Sequence, residues 1–374
     1  MEQKHMFTNK MIADLLIPVV LEQLLNSIMG TADTMMVSNV GSAAISAVSL
    51  VDSINVLVIQ VFAALAAGGT IICSQYMGQK NTKNATDAAK QLIFIITAIA
   101  VVLTVVCVVF QIPLLHLIFG KVEAEVMINS EIYFLYTALS FPFIAVFNAG
   151  SSVFRAQENT RLPMTISVIS NIMNIVGNAI LINGWFGMPQ LGAVGAAIST
   201  DISKLVGLAL MIRMFFKSRR VKMGMSYLRP FPVQILKNLC LLAIPTGVES
   251  FSYNLSQMII LGIVNSFGTL VTVTKGYCTI FANIDYVYAM AIATATQIVL
   301  GYLIGARRLN DIQKRVNATL KVAIAACVGM AVLMCLGGKY IFLIFTDNPE
   351  IIALGRRILV IEIVLEIGRA VNIV

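Results

Sequence analysis

The sequence predicts an all-α polytopic membrane protein, with two parallel six-helix bundles related by a pseudo-twofold axis along the membrane normal. The second bundle is expected to be incomplete, so that about ten helices are present. Three observations lead to this class: the composition, a succession of long apolar spans, and an internal repeat. Of the 374 residues, 58% are hydrophobic and 12% are charged, whereas soluble domains carry about 25% charged residues. Most of the surface must therefore face lipid.

The apolar spans are long enough to cross a bilayer. The segment 92–110 has nineteen residues, no charge, and threonine as its only polar side chain. As a helix it can cross roughly 30 Å of hydrocarbon, and it lacks the polar face of a helix that packs on a soluble core. Hydropathy and helix-breaking residues together predict ten spans. They are about 11–37, 44–76, 88–112, 126–154, 162–183, 192–216, 234–265, 271–304, 316–338 and 350–374.

The basic residues predict the orientation of these spans. With a cytoplasmic N-terminus, and with nearby helix ends counted with each connection, 19 of the 26 Lys and Arg residues fall inside and five fall outside, while Lys204 and Arg369 are counted within spans. This bias follows the positive-inside rule and also explains the net charge of +8 without a nucleic acid partner. The first span contains Asp14, Pro18 and Glu22 and no cleavage site, so we expect it to stay in the mature protein. We expect a multi-pass protein of the plasma or bacterial inner membrane.

The cysteines and histidines do not suggest catalysis. The six cysteines lie in or beside apolar runs and form no C-x-x-C motif, and His5 and His116 fall outside the predicted spans. Neither a disulfide framework nor a histidine-based metal site is expected. A membrane enzyme is disfavoured because the spans hold no paired Asp-rich motif, no histidine and no Cys/His cluster. We therefore expect no enzyme activity and no cofactor besides a coupling ion.

The internal repeat relates two halves of the chain. The pattern Ile-Pro-x3-Glu at 17–22 returns at 244–249, an offset of 227 residues, and the same offset aligns Gly78 with Gly305 without a gap. Six predicted spans separate the copies, so both copies enter the membrane in the same direction, which predicts a pseudo-twofold axis along the membrane normal. We expect a six-helix bundle at 1–225 and a second bundle at 226–374 with four of its six helices, so helices 11 and 12 are missing from the chain as given.

Acidic residues inside the spans are the candidate functional groups. Each carboxylate at a helix centre costs on the order of 2.5–3.5 kcal/mol on insertion scales, so such groups should face a cavity, an ion or a partner. Substrate sites in proteins with repeated bundles lie near the membrane midplane. The candidates among these acidic residues are Glu22, Asp33, Asp52, Asp201, Glu249, Asp285, Glu362 and Glu366.

Two helix faces concentrate polar groups. In the first span, Glu22 and Asp33 fall within roughly 20° of each other and are about 16 Å apart along the axis, with Asn26 between them. A cavity-lining face is the favoured interpretation, and hydrogen bonding between helices is the alternative. The fifth span presents three asparagines on one face, which could bind a cation or join helices. These are Asn171, Asn174 and Asn178.

Two close pairs of opposite charge lie in the spans. Asp201 and Lys204 are three residues apart, as are Glu366 and Arg369. Groups at this spacing are neighbours on a helix, so mutual neutralisation is the favoured interpretation of both. Prolines inside spans should kink their helices. They are Pro18, Pro142 and Pro245.

Five stretches together carry a family resemblance. They are residues 18–41, 73–81, 171–200, 244–257 and 366–374, with PVVLEQLLNSIMGTADTMMVSNVG, CSQYMGQKN and IPTGVESFSYNLSQ among them. Across essentially the whole chain the sequence resembles the multidrug and toxic compound extrusion (MATE) family. The resemblance implies a monomeric, twelve-helix efflux antiporter in the membrane lipid. It would export organic cations, drugs or other amphipathic compounds against an inward H⁺ or Na⁺ gradient.

The resemblance also implies site residues. Asp33 matches the aspartate of the family's first helix, which is implicated in protonation or cation coupling, and Na⁺ would bind near it. Asn178 stands where some members have aspartate, and Asp201 could supply a replacement carboxylate beside Thr200. Glu249 matches a glutamate found in one branch of the family. With Asp201 added by inference from its position, the predicted coupling residues are Asp33, Asn174, Asn178, Thr200, Asp201 and Glu249. The predicted cavity-lining residues are Glu22, Asn26, Asn171, Tyr253 and Gln257.

A flippase for a lipid-linked saccharide is the alternative function, because related superfolds share this architecture. Such a protein would favour a cationic cavity that holds pyrophosphate. Here the eight candidate carboxylates of the spans compare with two bases assigned to the spans, Lys204 and Arg369, which favours antiport.

Overall fold

The computed structural model describes residues 7–38, 40–120, 122–218, 233–343 and 346–373. Within these ranges the chain is almost entirely helical and has no β-strand, which confirms the predicted all-α class. Twelve α-helices and one short 3₁₀ turn, Trp185–Gly187, follow one another. The helices are α1 Asn9–Ser38, α2 Ser42–Gly78, α3 Thr82–Val109, α4 Gln111–Phe119, α5 Ala124–Leu139, α6 Phe141–Ala156, α7 Arg161–Asn183, α8 Gly192–Lys217, α9 Val233–Asn265, α10 Thr269–Gly305, α11 Leu309–Leu343 and α12 Pro349–Ile373.

These helices match the ten predicted spans with two differences. The nine-residue helix α4 lies mostly in the predicted connection between the third and fourth spans. The fourth span is divided into α5 and α6, which are bent by 40° at Ser140. Pro142 lies in the first turn of α6, where its missing N–H breaks no helical hydrogen bond. The predicted kink at Pro142 is therefore a complete break, whereas Pro18 and Pro245 lie inside continuous helices.

The chain is a multi-pass membrane protein. Among the described residues, seven helices are long and apolar enough to cross a membrane, and the bent pair α5–α6 would make an eighth. The predicted spans 234–265 and 350–374 are present as α9 and α12 but are not among these seven. α9 has a polar stretch from Glu249 to Gln257. α12 carries six charged residues, namely Glu350, Arg356, Arg357, Glu362, Glu366 and Arg369.

The internal repeat is visible in the backbone. The helices α2 and α10 both have 37 residues, and both follow a glycine with positive φ, Gly41 at 143° and Gly268 at 98°. Two residues after each helix, Lys80 and Arg307 adopt φ of 58° and 57°. Both pairs are separated by the 227-residue offset, so the two copies share their helix starts and the unusual left-handed residue of the following turn.

Contacts divide the chain into two compact units. Unit A is Leu25–Ser250, and unit B combines Met1–Leu24 with Phe251–Val374. Helices α1 and α9 therefore each contribute to both units. The boundary predicted at 225/226 lies outside the described residues, and the division into bundles 1–225 and 226–374 stays a prediction.

The core of unit A is built from large apolar side chains packed between helices with many small residues. Phe62, Phe134 and Phe141 are almost completely buried, and Phe62 and Phe141 pack edge to face with ring centroids 6.3 Å apart. Because lipid is as apolar as these side chains, close packing rather than escape from water holds such helices together.

Glycines allow α7 and α8 to approach closely. A Cβ at Gly195 would lie 2.6 Å from the backbone oxygen of Leu181, and one at Gly177 would overlap the side chain of Ser199. Small residues at such positions are what lets membrane helices pack backbone to backbone. This contact sets the spacing between the polar faces of α7 and α8.

Candidate functional site

Four polar side chains from α1, α7 and α8 form one hydrogen-bonded group, the Asp33 cluster (Asp33, Asn174, Asn178 and Thr200). Asn178 donates from Nδ2 to Asp33 Oδ1 at 2.5 Å and to Asn174 Oδ1 at 3.2 Å. Asn174 Nδ2 donates to Thr200 Oγ1 at 2.9 Å. With the Asn174 amide rotated by half a turn, its nitrogen lies 2.9 Å from Asp33 Oδ1 and its oxygen accepts from Thr200 at 2.9 Å. In both orientations the four side chains stay connected.

The Asp33 cluster is rich in oxygen atoms and largely buried. Asn174 and Asn178 are buried, and Asp33 and Thr200 are half-buried. The Asn178 Oδ1 atom is buried and has no hydrogen-bond partner among the described residues. Carboxylate, amide and hydroxyl oxygens are ligands that hard cations prefer. The residues therefore fit a proton or a small hard cation such as Na⁺ at Asp33.

The neighbouring turns of α7 and α8 hold the cluster in position. Ser199 Oγ donates to the backbone oxygen of Asn174 at 2.9 Å, and Ser170 Oγ donates to that of Ser203 at 2.7 Å. Hydroxyl groups that bond across membrane helices contribute about 0.6 kcal/mol each. Sequence reasoning missed these serines, because a serine in an apolar span is as often a small packing residue.

Asn26 and Asn171 join α1 to α7. Asn26 Oδ1 accepts hydrogen bonds from Ser167 Oγ at 3.0 Å and from Asn171 Nδ2 at 2.9 Å. The sequence left open whether these asparagines line a cavity or connect helices. In the structure they connect helices, and this contact fixes the turn of α1 that leads to Asp33. The cavity-lining role of Asn26 and Asn171 stays a prediction.

The side chain of Lys204 brings a positive charge close to Asp33, and the two groups interact electrostatically. Lys204 lies one helical turn after Thr200, a member of the Asp33 cluster, and therefore shares the face of α8 that is turned to Asp33. Asp201 Oδ1 is buried without a hydrogen-bond partner among the described residues, and no electrostatic interaction with Lys204 accompanies it. The expected mutual neutralisation of Asp201 and Lys204 is therefore wrong.

A second carboxylate of unit A lies beside a tyrosine. Tyr133 of α5 donates from its hydroxyl to Asp52 Oδ1 at 3.5 Å, and Asn55 Nδ2 donates to the same oxygen at 3.2 Å. Tyr133 is buried and also interacts electrostatically with Asp33 and Asp201. Nothing in the sequence indicated Tyr133, since tyrosine is a common packing residue in membrane spans.

Four other candidate residues lie outside the Asp33 cluster. Glu249 belongs to unit A, where its side chain is exposed and is not part of the described hydrogen bonds around Asp33. Tyr253 and Gln257 belong to unit B and are exposed, and Glu22, also in unit B, is buried. Although Glu22 and Asp33 share α1, they belong to different units. The cavity-lining roles of Glu22, Tyr253 and Gln257 stay predictions, as does the coupling role of Glu249.

The charge pair predicted on α12 is present. Arg369 donates to Glu366 Oε1 and, at 3.1 Å, to Glu362 Oε1. Neutralisation of Glu366 by Arg369 is therefore confirmed, and Glu362 is a second partner that the sequence did not indicate.

Sequence comparisons identify relatives of this chain. The MatE family model matches residues 18–180 and 245–374, and these two matches begin 227 residues apart, at the offset of the internal repeat. The uncharacterized transporter YisQ of Bacillus subtilis (strain 168) is 32% identical over 358 residues, which cover 96% of this chain and 78% of YisQ. The probable multidrug resistance protein NorM of Thermotoga maritima is 23% identical over 93% of this chain and 74% of that protein.

Solved structures share the fold. A MATE transporter crystallised in complex with MaD3S superposes with a TM-score of 0.89 at 20% identity, over 97% of this chain and 81% of that chain. A MOP superfamily transporter from Pyrococcus furiosus, described as having a binding pocket of reverse polarity, gives 0.84 at 20% identity, over 92% and 75%. Together with the family match, these findings show that the chain belongs to the MatE family, whose members are transporters and not enzymes.

Proposed function

We propose that this protein is a secondary active antiporter that exports organic cations, drugs or other amphipathic compounds in exchange for H⁺ or Na⁺. The observation that carries the proposal is the Asp33 cluster, in which one carboxylate is held by Asn178 on a helix face that also presents Asn174 and Thr200. Membership of a multidrug transporter family supports the substrate class. Intramembrane carboxylates are the usual sites of ion coupling.

Coupling follows from competition for one negative charge. When Asp33 is ionised, its charge in a medium of low dielectric constant attracts an organic cation. When H⁺ or Na⁺ binds, the charge is neutralised and the attraction is lost. If the ion and the substrate cannot occupy the site together, each one's binding weakens the other's by the same factor. The ion gradient then drives the substrate outward.

Asn178 and Thr200 have supporting roles in this mechanism. Asn178 orients the Asp33 carboxylate by its hydrogen bond, and its own buried Oδ1 atom is free to bind a cation. Thr200 holds the Asn174 amide from α8. We propose Asp201 and Glu249 as further acidic groups of the transport path.

We further propose a monomer in the plasma or bacterial inner membrane, with its N-terminus in the cytoplasm and with lipid around its helices. The distribution of Lys and Arg supports this orientation. Bundles 1–225 and 226–374 are the proposed halves, and no nucleic acid partner is proposed.

An efflux assay tests the proposal. Cells that lack their own multidrug efflux pumps are loaded with a fluorescent organic cation, and its loss is followed with the wild type, with Asp33→Asn, and with Glu350→Gln. Glu350 is an exposed acid at the start of α12 and serves as the matched control. We expect Asp33→Asn to retain dye like cells without the transporter at equal membrane expression, and Glu350→Gln to export it. Full export by Asp33→Asn would contradict the proposal.

A further inference from the structure

A cavity of about 440 Å³ lies in unit B, where the start of α1 meets the end of α10 and the start of α11. This volume falls in the range of about 300–1,000 Å³ that is typical of ligand sites. The cavity shares no residue with the Asp33 cluster. We call it the α1–α11 cavity, and its walls include Phe7, Thr8, Leu303, Asp311, Lys314 and Arg315.

The face of α11 that borders this cavity has more base than acid. Asp311, Lys314 and Arg315 are spaced by three and four residues from the first, which places them on one side of the helix. Asp311 Oδ2 lies 3.7 Å from Arg308 Nη1, so the aspartate charge is already balanced. Among the described residues, Lys314 and Arg315 form no ion pair. The cavity wall therefore carries an excess of positive charge.

The start of α1 is held against this face of α11. Arg315 Nη2 donates to the backbone oxygen of Phe7 at 2.9 Å, and the Phe7 ring packs edge to face on Tyr302 with ring centroids 5.6 Å apart. Phe7 is 3% exposed, so the wall that it forms is firmly packed. The bond to Phe7 uses one of the five N–H donors of the guanidinium, and Lys314 is exposed. Both bases can therefore donate hydrogen bonds to a ligand in the cavity.

The cavity lies at the level where the membrane helices meet the lipid headgroups. Helix α11 has 35 residues and is about 52 Å long, whereas the hydrocarbon core is roughly 30 Å thick. Its uncharged stretch, 322–338, begins about two turns after Lys314 and Arg315. The two bases therefore lie outside the hydrocarbon, beside the phosphate layer. Phe7 and Leu303 add apolar walls, which suit the glycerol backbone and upper acyl chains of a lipid better than a free anion.

The internal repeat does not account for these bases. Helices α3 and α11 begin 227 residues apart, and at this offset Lys314 and Arg315 correspond to Asp87 and Ala88. Basic residues near the ends of spans commonly serve the orientation of the chain, a role that needs no cavity. Here the two bases border a cavity, and basic pockets between membrane helices are known to bind lipid headgroups.

We propose that the α1–α11 cavity binds the phosphate-bearing headgroup of an anionic phospholipid, with Lys314 and Arg315 as its cationic ligands. The bound lipid lies beside the start of α1, the helix that also carries Asp33. The site is built from residues other than those of the Asp33 cluster, so it stands whether or not Asp33 couples transport. The orientation proposed above enters only in assigning the lipid to the cytoplasmic leaflet.

Native mass spectrometry of the purified full chain tests the proposal. The protein is titrated separately with dioleoylphosphatidylglycerol, with dioleoylphosphatidylcholine and with glycerol 1-phosphate. We expect the first phosphatidylglycerol to bind more tightly than phosphatidylcholine, and Lys314→Gln to weaken its binding roughly fivefold, the effect of one base near a lipid surface. Lys83→Gln should bind like the wild type. It is the matched control, because Lys83 is an exposed base in the first turn of α3, the counterpart of α11 in the first copy of the repeat.

Three results would overturn the proposal. One is phosphatidylglycerol binding that is unchanged in Lys314→Gln, and another is equal binding of the two lipids by the wild type. The third is binding of glycerol 1-phosphate as tight as that of phosphatidylglycerol, which would make the cavity a site for a soluble phosphate ester. Lys314→Arg keeps the positive charge and should bind like the wild type, so a loss of binding through misfolding is recognised. Because no transport is measured, failure of the antiport proposal leaves this result readable.

Discussion

At position 178 the side chain that bonds to Asp33 is an amide. Asn178 brings no negative charge, so the Asp33 cluster holds one carboxylate among neutral oxygen and nitrogen groups. A site with one carboxylate is neutralised by one proton or one Na⁺. The identity of residue 178, together with the nearby charge of Lys204, therefore sets the charge that the coupling ion must balance.

Replacing Asn178 with Asp places a second carboxylate next to Asp33. Two like charges at hydrogen-bonding distance attract a cation more strongly than one does, so we expect Asn178→Asp to lower the half-saturating Na⁺ concentration for binding on the order of tenfold. Isothermal titration with NaCl measures this change, and Asn178→Leu is the control with neither charge nor hydrogen bond. Unchanged Na⁺ binding in Asn178→Asp would show that residue 178 does not contact the coupling ion.

Lys204 places a fixed positive charge near Asp33. Its removal leaves the carboxylate more attractive to an organic cation, so Lys204→Gln should tighten the binding of a fluorescent organic cation roughly three- to tenfold, which is the change expected for about 1 kcal/mol. Fluorescence anisotropy with purified protein measures it. Lys217→Gln, at the exposed end of the same helix, should bind like the wild type. Weaker binding by Lys204→Gln would contradict the assigned electrostatics.

The sequence predicted six coupling residues. The structure joins four of them by hydrogen bonds, and the coupling roles of all six stay predictions. The six are Asp33, Asn174, Asn178, Thr200, Asp201 and Glu249. The polar faces of α1 and α7 could be predicted from helical periodicity. The family resemblance then indicated that residues of these two faces belong to one site. Lys204 was assigned to Asp201 because the two are close along α8. Which side of α8 meets Asp33 depends on how α1, α7 and α8 pack, and spacing along one helix does not contain that information.

At the scale of helices, the contact between α7 and α8 depends on glycine. We expect Gly195→Ala to destabilise the protein by roughly 1–3 kcal/mol, because the added methyl group meets the rigid backbone oxygen of Leu181. Thermal unfolding in detergent measures the loss. Gly276→Ala in α10 is the matched control, since a Cβ there meets nothing within 4 Å. Equal stability of both variants would show that the contact between α7 and α8 adjusts to the added methyl group without cost, which would contradict the prediction.

Most helix boundaries could be predicted from the sequence. The prediction 44–76 corresponds to α2 at Ser42–Gly78, and 271–304 corresponds to α10 at Thr269–Gly305. A glycine with positive φ precedes each of these helices, and hydropathy falls at the same places. The division of the fourth span at Ser140 and the short helix α4 were not predicted, because hydropathy does not distinguish a straight apolar helix from a bent pair.

For the whole molecule, the alternation of basic loops predicts a definite topology. In a variant whose six native cysteines are replaced by alanine, a cysteine at Glu158, between α6 and α7, should react with an impermeant thiol reagent only from the cytoplasmic side. A cysteine at Gln190, between α7 and α8, should react only from outside. Labelling of intact cells and of inside-out vesicles measures both. The reverse pattern would contradict the N-in orientation.

Ion-coupled export through Asp33 is tested most directly in proteoliposomes, with pH and Na⁺ gradients imposed separately. We expect the wild-type protein to move a fluorescent organic cation only when one of these gradients runs in the opposite direction, and Asp33→Asn to move none under either gradient. Transport by the wild type without an ion gradient, or gradient-driven transport by Asp33→Asn equal to that of the wild type, would contradict the account.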